Sequence, residues 1–472
     1  MIKFGTGGFR GIIGADFTKE NVQLSIQALC NLAKRQGSEK PVIVGYDYRF
    51  ASEYACLWAA EVLAGNGIVC WLYGEPMPTP AIMHVVQSEG LDFGVMITAS
   101  HNPYYYNGVK LFMKGGVDAD VAFTGEIEKE CAAIREVRTM SAEEGEAQGL
   151  IRKVDFKRNY LENIKSFIDL QGIQNNRCKI LYNDLFGVGA VGLRPLAAEY
   201  GIARFDCIND KRDALFGGLL PNPTRAMMLS MRDAVVSGGY DFAMATDSDS
   251  DRLGILDEHG DYVDSNDILA CLYYYLVRYR GMRGDVVKNC ATSILVDKVA
   301  QKLGYRCHEV DVGFKNISSK MLETDALIGG ESSGGLTVRG YVMGKDSVFS
   351  ASLFMEMVIR MNKPVSEIVR EVHAFAGYDY SIEEETLTFS EIGQVRRRLE
   401  SAAPEFGDLR RASHFNSNYK YYFDDGCWVL IRMSGTEPVV RVFAEMKSAA
   451  ESDGKISAVK KFFNAMEQDR VV

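Results

Sequence analysis

The sequence has no long hydrophobic run, no CxxC pair, no block of like charge and no low-complexity tract, and each absence removes a class of protein. The longest apolar patch, residues 268–277, carries three tyrosines and falls short of the roughly 20 apolar residues that a membrane-spanning helix needs. The opening residues MIKFGTGGFRG lack the basic stretch and the apolar run of about 7–15 residues found in a signal peptide. Ten dispersed cysteines read as thiols in a reducing compartment, not as a disulfide framework or a zinc ribbon. No Lys/Arg run stands out against a formal charge of −10, which argues against a nucleic-acid partner. The expectation is a cytoplasmic protein with neither a membrane nor a nucleic-acid partner, its oligomeric state open.

The composition itself, 47% apolar and 25% charged, is that of a globular chain with ample core. A length of 472 residues exceeds one ordinary core and predicts about three domains at roughly 150 residues each, within a range of two to four. The negative net charge leaves small anionic substrates open. A few arginines in one cleft can hold a phosphate, because charges farther than about 8 Å are largely screened.

Short β-branched runs recur, at Val42–Tyr46, 93–98, Lys179–Asn183, Phe242–Thr246 and 326–328, each followed by a polar, glycine-containing loop. Stretches of helical period lie between them, at Lys19–Arg35, 158–168 and 267–279. The alternation predicts α/β domains with parallel or mixed sheets and ligand loops at the carboxyl ends of strands. Loops near 153, 256 and 372 are the natural boundaries, giving segments 1–153, 154–256, 257–372 and 373–472. The last of these, with strands reading TLTF, YKYYF, CWVLIRM and VVRVFAEM beside charged helices, reads as a separate small α+β domain.

Four loops carry chemistry. The first, Thr98-Ala99-Ser100-His101-Asn102-Pro103, follows the apolar run FGVMI. A serine at a strand end among turn-forming residues is held at a fixed angle, as a covalent phosphoryl carrier requires. An ordinary strand-to-turn junction would look the same, but His101, Asn107 and Lys110 add proton-transfer and anion-binding groups within one short segment.

The second, Asp247-Ser248-Asp249-Ser250-Asp251-Arg252, follows FAMAT. Carboxylates at alternate positions can converge on one hard cation, and oxygen ligands suit Mg²⁺ or Ca²⁺. A calcium EF-hand is the competitor, since Glu258 is twelfth from Asp247. It fails at the sixth position, where Arg252 replaces the required glycine, and its flanks read as strands.

The third, Gly329-Gly330-Glu331-Ser332-Ser333-Gly334-Gly335, also contains G-x-S-x-G, the nucleophile elbow of serine hydrolases. An elbow built on Ser332 needs a helix next, whereas LTVRGYV is β-rich, and His373 and Asp346 would complete a triad only by coincidence. A sugar-gripping loop whose glycines admit the ligand fits better. The fourth, Arg432-Met433-Ser434-Gly435-Thr436-Glu437-Pro438, offers an arginine fork, two hydroxyls and backbone N–H groups as a phosphate cradle within a β-hairpin connection.

These strings, with FGTGGFRG at the start, occur in the order and spacing of the α-D-phosphohexomutase superfamily of phosphoglucomutase, phosphomannomutase and phosphoglucosamine mutase, which the chain resembles over essentially its whole length. The resemblance implies four domains around a central cleft, three similar mixed α/β units and a small C-terminal α+β domain. It implies that Ser100 is the phosphoserine and that Asp247, Asp249 and Asp251, with a Ser100 phosphate oxygen, hold Mg²⁺. Arg252 lies beside them, and Arg10 and Lys110 near the transferring phosphoryl group, with Lys110 or His101 as acid/base. Glu331 and Ser333 match the sugar loop, Gly313 and Lys315 the loop that helps recognise sugar and phosphate, and Arg432, Ser434, Gly435 and Thr436 the distal phosphate site.

The implied reaction is an isomerisation of hexose 1- and 6-phosphates through a hexose 1,6-bisphosphate, which serves as both activator and intermediate. Phosphoglucosamine mutases and several phosphomannomutases carry a histidine after the sugar-loop Ser-Gly, where this chain has Gly335. Together with Gly313-Phe314-Lys315 that points to glucose, with mannose second and glucosamine as the alternative. A non-catalytic sugar-phosphate sensor would have no evident need for an intact nucleophile and three metal carboxylates.

Overall fold

The structure, a computed structural model, describes residues 2–5, 7–174, 176–389, 391–416, 418–433 and 439–468. The chain forms two compact units, Met1–Tyr279 with Ser333–Val369, and Arg280–Ser332 with Arg370–Val472.

In the first unit one sheet runs Gly8–Ile12, Tyr106–Met113, Phe93–Ile97, Val42–Tyr46, Cys70–Tyr73, Ile151–Val154, with Val117–Asp118 paired to the second of these. The last four strands are parallel, and Tyr106–Met113 is antiparallel to both of its long neighbours. The central strands VIVGY and FGVMI are buried at every position, as expected for parallel strands covered on both faces. Helix Lys19–Arg35 starts where Thr18 accepts the Asn21 amide and ends on Lys34 and Arg35, matching charge to helix polarity. Its Val22, Ile26 and Leu29 join Val44, Leu63, Val95 and Ile97 in the core.

A second sheet in this unit runs Tyr262–Val263, Leu253–Leu256, Phe242–Thr246, Lys179–Asn183, Arg204–Ile208. Phe242–Thr246 is parallel to Lys179–Asn183 and antiparallel to Leu253–Leu256, with Thr246 opposite Leu253. The acidic hexapeptide is therefore the turn of an antiparallel strand pair, and an EF-hand, which needs helices on both flanks, is absent there.

In the second unit Cys307–Val310, Val286–Asn289 and Ile328–Gly330 are parallel neighbours. An antiparallel sheet follows in the order Ser381–Thr388, Val439–Met446, Trp428–Met433, Asn418–Tyr422, Arg411–Phe415. The two sheets are joined by a buried apolar seam of Cys290, Ala291, Trp428 and Leu430 and by Lys420, 1% exposed, whose Nζ lies 2.5 Å from Glu309 Oε2. The sequence suggested a strand over 326–328, but it spans Ile328–Gly330. Glycine is what permits this: a Cβ on Gly329 would stand 2.4 Å from Met321 Sδ and 2.5 Å from Ile317 Cγ2, so its absence lets helix Phe314–Thr324 pack on the strand.

None of the ten cysteines is in a disulfide, and burial pushes the Cys30 and Cys290 thiols up to about 12. Among the described residues no helix is long and apolar enough to cross a membrane.

Candidate active site

The strand Phe93–Ile97 hands the chain to Thr98, whose hydroxyl donates to Asp47 Oδ2 at 2.6 Å and accepts the Ser100 amide at 2.9 Å. Ser100 is 1% exposed and left-handed at φ +51°, a conformation uncommon outside glycine. Its Oγ lies 3.1 Å from Asp247 Oδ2 and 3.2 Å from His101 Nδ1. Burial, reinforced by Arg252 and Arg10, holds His101 well below the usual imidazole range, so at neutral pH the ring is uncharged. Arg10, on strand Gly8–Ile12, donates from Nη1 to Asn102 Oδ1 at 2.8 Å.

Lys110 lies on the antiparallel strand that pairs with both Gly8–Ile12 and Phe93–Ile97. Its ammonium sits 2.7 Å from Asp249 Oδ2 and 3.1 Å from Asp251 Oδ2. Burial opposes its charge, but these carboxylates outweigh that and raise its pKa. The two acid/base groups that the resemblance implies thus differ in charge, Lys110 a cation and His101 a neutral ring.

The acidic loop folds on Asp247, whose Oδ1 accepts the amides of Asp251 at 2.8 Å and Arg252 at 3.0 Å, while Ser250 is left-handed at φ +59°. Asp249 is pinned twice by Thr79, whose amide donates to the Asp249 carbonyl at 2.9 Å and whose hydroxyl donates to Oδ2 at 2.8 Å. Asp251 is faced by Lys110 and by Lys345, 3.2 Å away. Arg252 Nε stands 3.9 Å from Asp251 Oδ1.

All three carboxylates are buried, with ligand oxygens within 4.8 Å of one another. Burial and the facing Asp251 and Asp249 push Asp247 well above the carboxylate range. Burial would raise Asp251 too, but Lys345, Lys110 and Arg252 outweigh it and hold it well below. Asp249 Oδ1 and Asp251 Oδ1 are buried with no hydrogen-bond partner. Buried oxygens without partners are rare in folded proteins, and a set of converging carboxylate oxygens is the donor chemistry that Mg²⁺ takes. The residues present fit that ion.

In the second unit Gly313, left-handed at φ +116°, caps helix Phe314–Thr324, and Lys315 lies in the first turn of that helix. Glu331, 9% exposed, follows strand Ile328–Gly330 and lies 3.4 Å from Asn289 Nδ2. Arg432 stands opposite Arg441 in the sheet. Burial and then Arg441 lower its pKa, and like charges set opposite each other in a sheet are destabilising, so an anion between them would be favourable. Ser434, Gly435 and Thr436 lie outside the described residues.

Ser333 belongs to the first unit and is exposed. The segment after Gly334 enters a strand, Leu336–Val338, where a hydrolase elbow at Ser332 needs a helix. Asp346 is already engaged, accepting Tyr341 Oη at 2.6 Å, Tyr160 Oη at 2.9 Å and the Phe349 amide at 3.0 Å. The elbow geometry is not there.

Three participants escaped sequence reading. Thr79 and Lys345 reach the acidic loop, and Arg49 grips the serine loop through carbonyls of Asn102, Pro103 and Tyr106 at 2.6, 3.0 and 3.0 Å. Arg49 sits in VIVGYDYR, whose strand-then-polar-loop form marks the end of a parallel strand, where ligand loops gather.

Comparison with known proteins gives a consistent picture. Residues 1–138, 158–260 and 264–375 match the phosphoglucomutase/phosphomannomutase alpha/beta/alpha domains I, II and III, and residues 392–455 match the C-terminal domain of that family. A phosphoglucomutase/phosphomannomutase of Thermococcus kodakarensis is 31% identical over 451 residues, 94% of each chain. A phosphoglucosamine mutase of Caldicellulosiruptor saccharolyticus is 27% identical over 444 residues, again 94% of each. In fold, the chain superimposes on a phosphoglucomutase/phosphomannomutase family protein from Burkholderia thailandensis with a TM-score of 0.83 at 20% identity, covering 99% of this chain and 98% of that one.

Proposed function

The chain belongs to the phosphoglucomutase/phosphomannomutase family, and we propose that it interconverts glucose 1-phosphate and glucose 6-phosphate, with mannose phosphates second, through phosphorylated Ser100. The coarse activity, a phosphohexomutase that moves a phosphoryl group within a sugar phosphate, follows from membership. One observation carries the assignment of residues: Ser100 Oγ stands 3.1 Å from a buried three-carboxylate cluster that retains two oxygens without hydrogen-bond partners.

Phosphoryl transfer is chiefly a matter of positioning and charge neutralisation. In the proposed cycle the 6-hydroxyl of a sugar 1-phosphate attacks the phosphorus of phospho-Ser100. The bond from phosphorus to Oγ breaks as the new ester forms, and the proton lost by the attacking hydroxyl is balanced by one taken up on the departing Oγ, beside which His101 Nδ1 lies at 3.2 Å, with Lys110 or His101 as the acid/base group. The resulting 1,6-bisphosphate turns over and returns its other phosphate to Ser100, leaving the 6-phosphate. Arg10, Lys110 and Arg252 face the transferred group as fixed cations. Asp247, Asp249 and Asp251 would hold Mg²⁺, with an oxygen of the Ser100 phosphate, and the ion would neutralise charge on the transferring oxygens. Glu331 and Ser333 take the sugar hydroxyls, Gly313 and Lys315 help recognise sugar and phosphate, and Arg432 with Ser434, Gly435 and Thr436 takes the phosphate that is not reacting. The facing pair Arg432 and Arg441 supports that last role.

The choice of sugar rests on Gly335. A Cβ there would stand 2.2 Å from Lys345 Cδ, so the stem of Lys345 fills the place of any side chain on its way to Asp251. The histidine that phosphoglucosamine mutases and several phosphomannomutases carry at this point of the loop would require Lys345 to move. Glucosamine stays the alternative because relatives such as the one from Caldicellulosiruptor saccharolyticus bear that name.

The test incubates the protein with Mg²⁺, a trace of glucose 1,6-bisphosphate and, separately, glucose, mannose and glucosamine 1-phosphates, with Ser100→Ala as control. Fast conversion of glucose 1-phosphate, lost in the control, is expected. Faster conversion of glucosamine would transfer the assignment to that sugar. Binding without turnover of any sugar, by protein carrying phosphate on Ser100, would leave a sensor.

A further inference from the structure

We propose that Arg49 is a positioning residue for the nucleophile, a buried clamp that sets the backbone of the Ser100 loop and stitches it to the acidic loop. The proposal rests on the reading of Ser100 as phosphoryl carrier.

Arg49 is wholly buried, and its guanidinium is spent on the backbone that follows the serine. Nη1 donates to the carbonyls of Pro103 and Tyr106, both at 3.0 Å. Nη2 donates to the carbonyls of Ser100 and of Asn102, the latter at 2.6 Å, and lies 3.3 Å from Ser248 Oγ. Its Nε faces Asp47 Oδ2 at 3.4 Å, and its plane lies over the Phe216 ring, 4.9 Å from the centroid. The rigid planar fork of arginine suits several fixed acceptors at once, which a lysine ammonium on a flexible stem does not.

Two features show that these contacts bear on catalysis as well as on folding. Ser100 occupies the left-handed region, which a serine holds only where its surroundings over-determine it. Arg49 fixes that conformation from the carbonyl side, while Asp47, through Thr98, fixes it from the amide side. The Ser100 carbonyl also accepts from Ser248 Oγ, and Ser248 lies between two of the three carboxylates. Arg49 and Ser248 thus meet at one carbonyl oxygen, and the distance from nucleophile to carboxylate cluster is set there. A displacement of about 1 Å at a reacting centre lowers turnover about 10²-fold.

The experiment compares wild type, Arg49→Lys, Arg49→Met and Ser248→Ala by Mg²⁺-dependent turnover of glucose 1-phosphate, by intact mass for Ser100 phosphate after glucose 1,6-bisphosphate, and by melting temperature. A clamp predicts kcat per folded molecule down about 10²-fold in Arg49→Met, less in Arg49→Lys and about tenfold in Ser248→Ala, with KM within about threefold of wild type. A role in stability alone would lower the melting temperature and leave kcat per folded molecule unchanged, and that result overturns the clamp. Should both Arg49 variants fail to fold, a wild-type kcat in Ser248→Ala overturns it as well. Wild type that converts no sugar and never acquires phosphate on Ser100 would defeat the mutase reading together with the clamp. Phosphorylated, active wild type beside unimpaired variants defeats the clamp alone.

Discussion

Asp346 offers a prediction with a calculable size. Its carboxylate is wholly buried, and burial raises it to about 6 against hydrogen bonds from Tyr341, the Phe349 amide and Tyr160 that pull the other way. In the unfolded chain an aspartate titrates near ~3.9, so the shift is about 2 units, or about 2.9 kcal/mol of differential interaction. A raised carboxyl binds more protons folded than unfolded. Its contribution to stability is therefore fully present below about pH 4 and is lost as pH rises through about 6. Integrating that linkage from pH 5 to pH 7.5 gives a loss of about 1.4 kcal/mol. Asp346→Asn keeps the helix cap, since asparagine caps as well as aspartate, but has no proton to lose. The stability of Asp346→Asn minus that of wild type should thus increase by about 1.4 kcal/mol over this range. Paired urea titrations in a Trp428→Phe background would measure it, because the remaining tryptophans, Trp58 and Trp71, both report the first unit. A difference that stays flat from pH 5 to pH 7.5, or falls, would refute the reasoning.

Three further outcomes follow from the same contacts. Asp249→Asn should remove the Mg²⁺-induced rise in melting temperature, which in wild type corresponds to about 2.7 kcal/mol at a hundredfold excess over Kd; an undiminished rise would place the cation elsewhere. Gly335→His should drive Lys345 off Asp251 and lower turnover of glucose 1-phosphate by tenfold or more, about 1.4 kcal/mol, whereas wild-type turnover would show that the 2.2 Å overlap relaxes harmlessly. Lys420→Met should leave Glu309 without its nearest cation, with Lys288 still 3.8 Å away, and destabilise the second unit by about 3 kcal/mol, the low end for a broken buried pair. Trp428, under the Lys420 ammonium, reports that unfolding by fluorescence.

Where order is local, the sequence states it directly. Strands Val42–Tyr46, Lys179–Asn183 and Phe242–Thr246 and helix Lys19–Arg35 stand where the apolar pattern and the flanking caps put them. The segment 267–279 begins earlier, at Ser265, because Asp264 caps the helix by accepting the Asn266 amide, a polar signal that hydrophobic period does not carry. The serine loop and the carboxylate triplet were legible because each packs its chemistry into six consecutive residues. Arg49, Thr79 and Lys345 were not. Arg49 lies 51 positions from the carbonyl it grips, and Thr79 lies 170 positions from Asp249. The local pattern marks Arg49 only as a residue at a strand end and Thr79 only as a helix-start threonine, and the closing of the sheet brings them to the site.

The backbone at Ser100 also decides which amino acid can serve as the carrier. Serine and threonine offer the same alcohol, and on chemical grounds either could bear a phosphoryl group. At φ +51°, however, a β-branched side chain is a steric outlier, and its second substituent on Cβ restricts χ1 further. Threonine is thereby disfavoured at this position by conformation alone, whereas aspartate tolerates the left-handed region. A Ser100→Asp variant would accordingly keep the geometry of the serine loop, and Ser100→Thr, the nearer chemical relative, would be the one that distorts it.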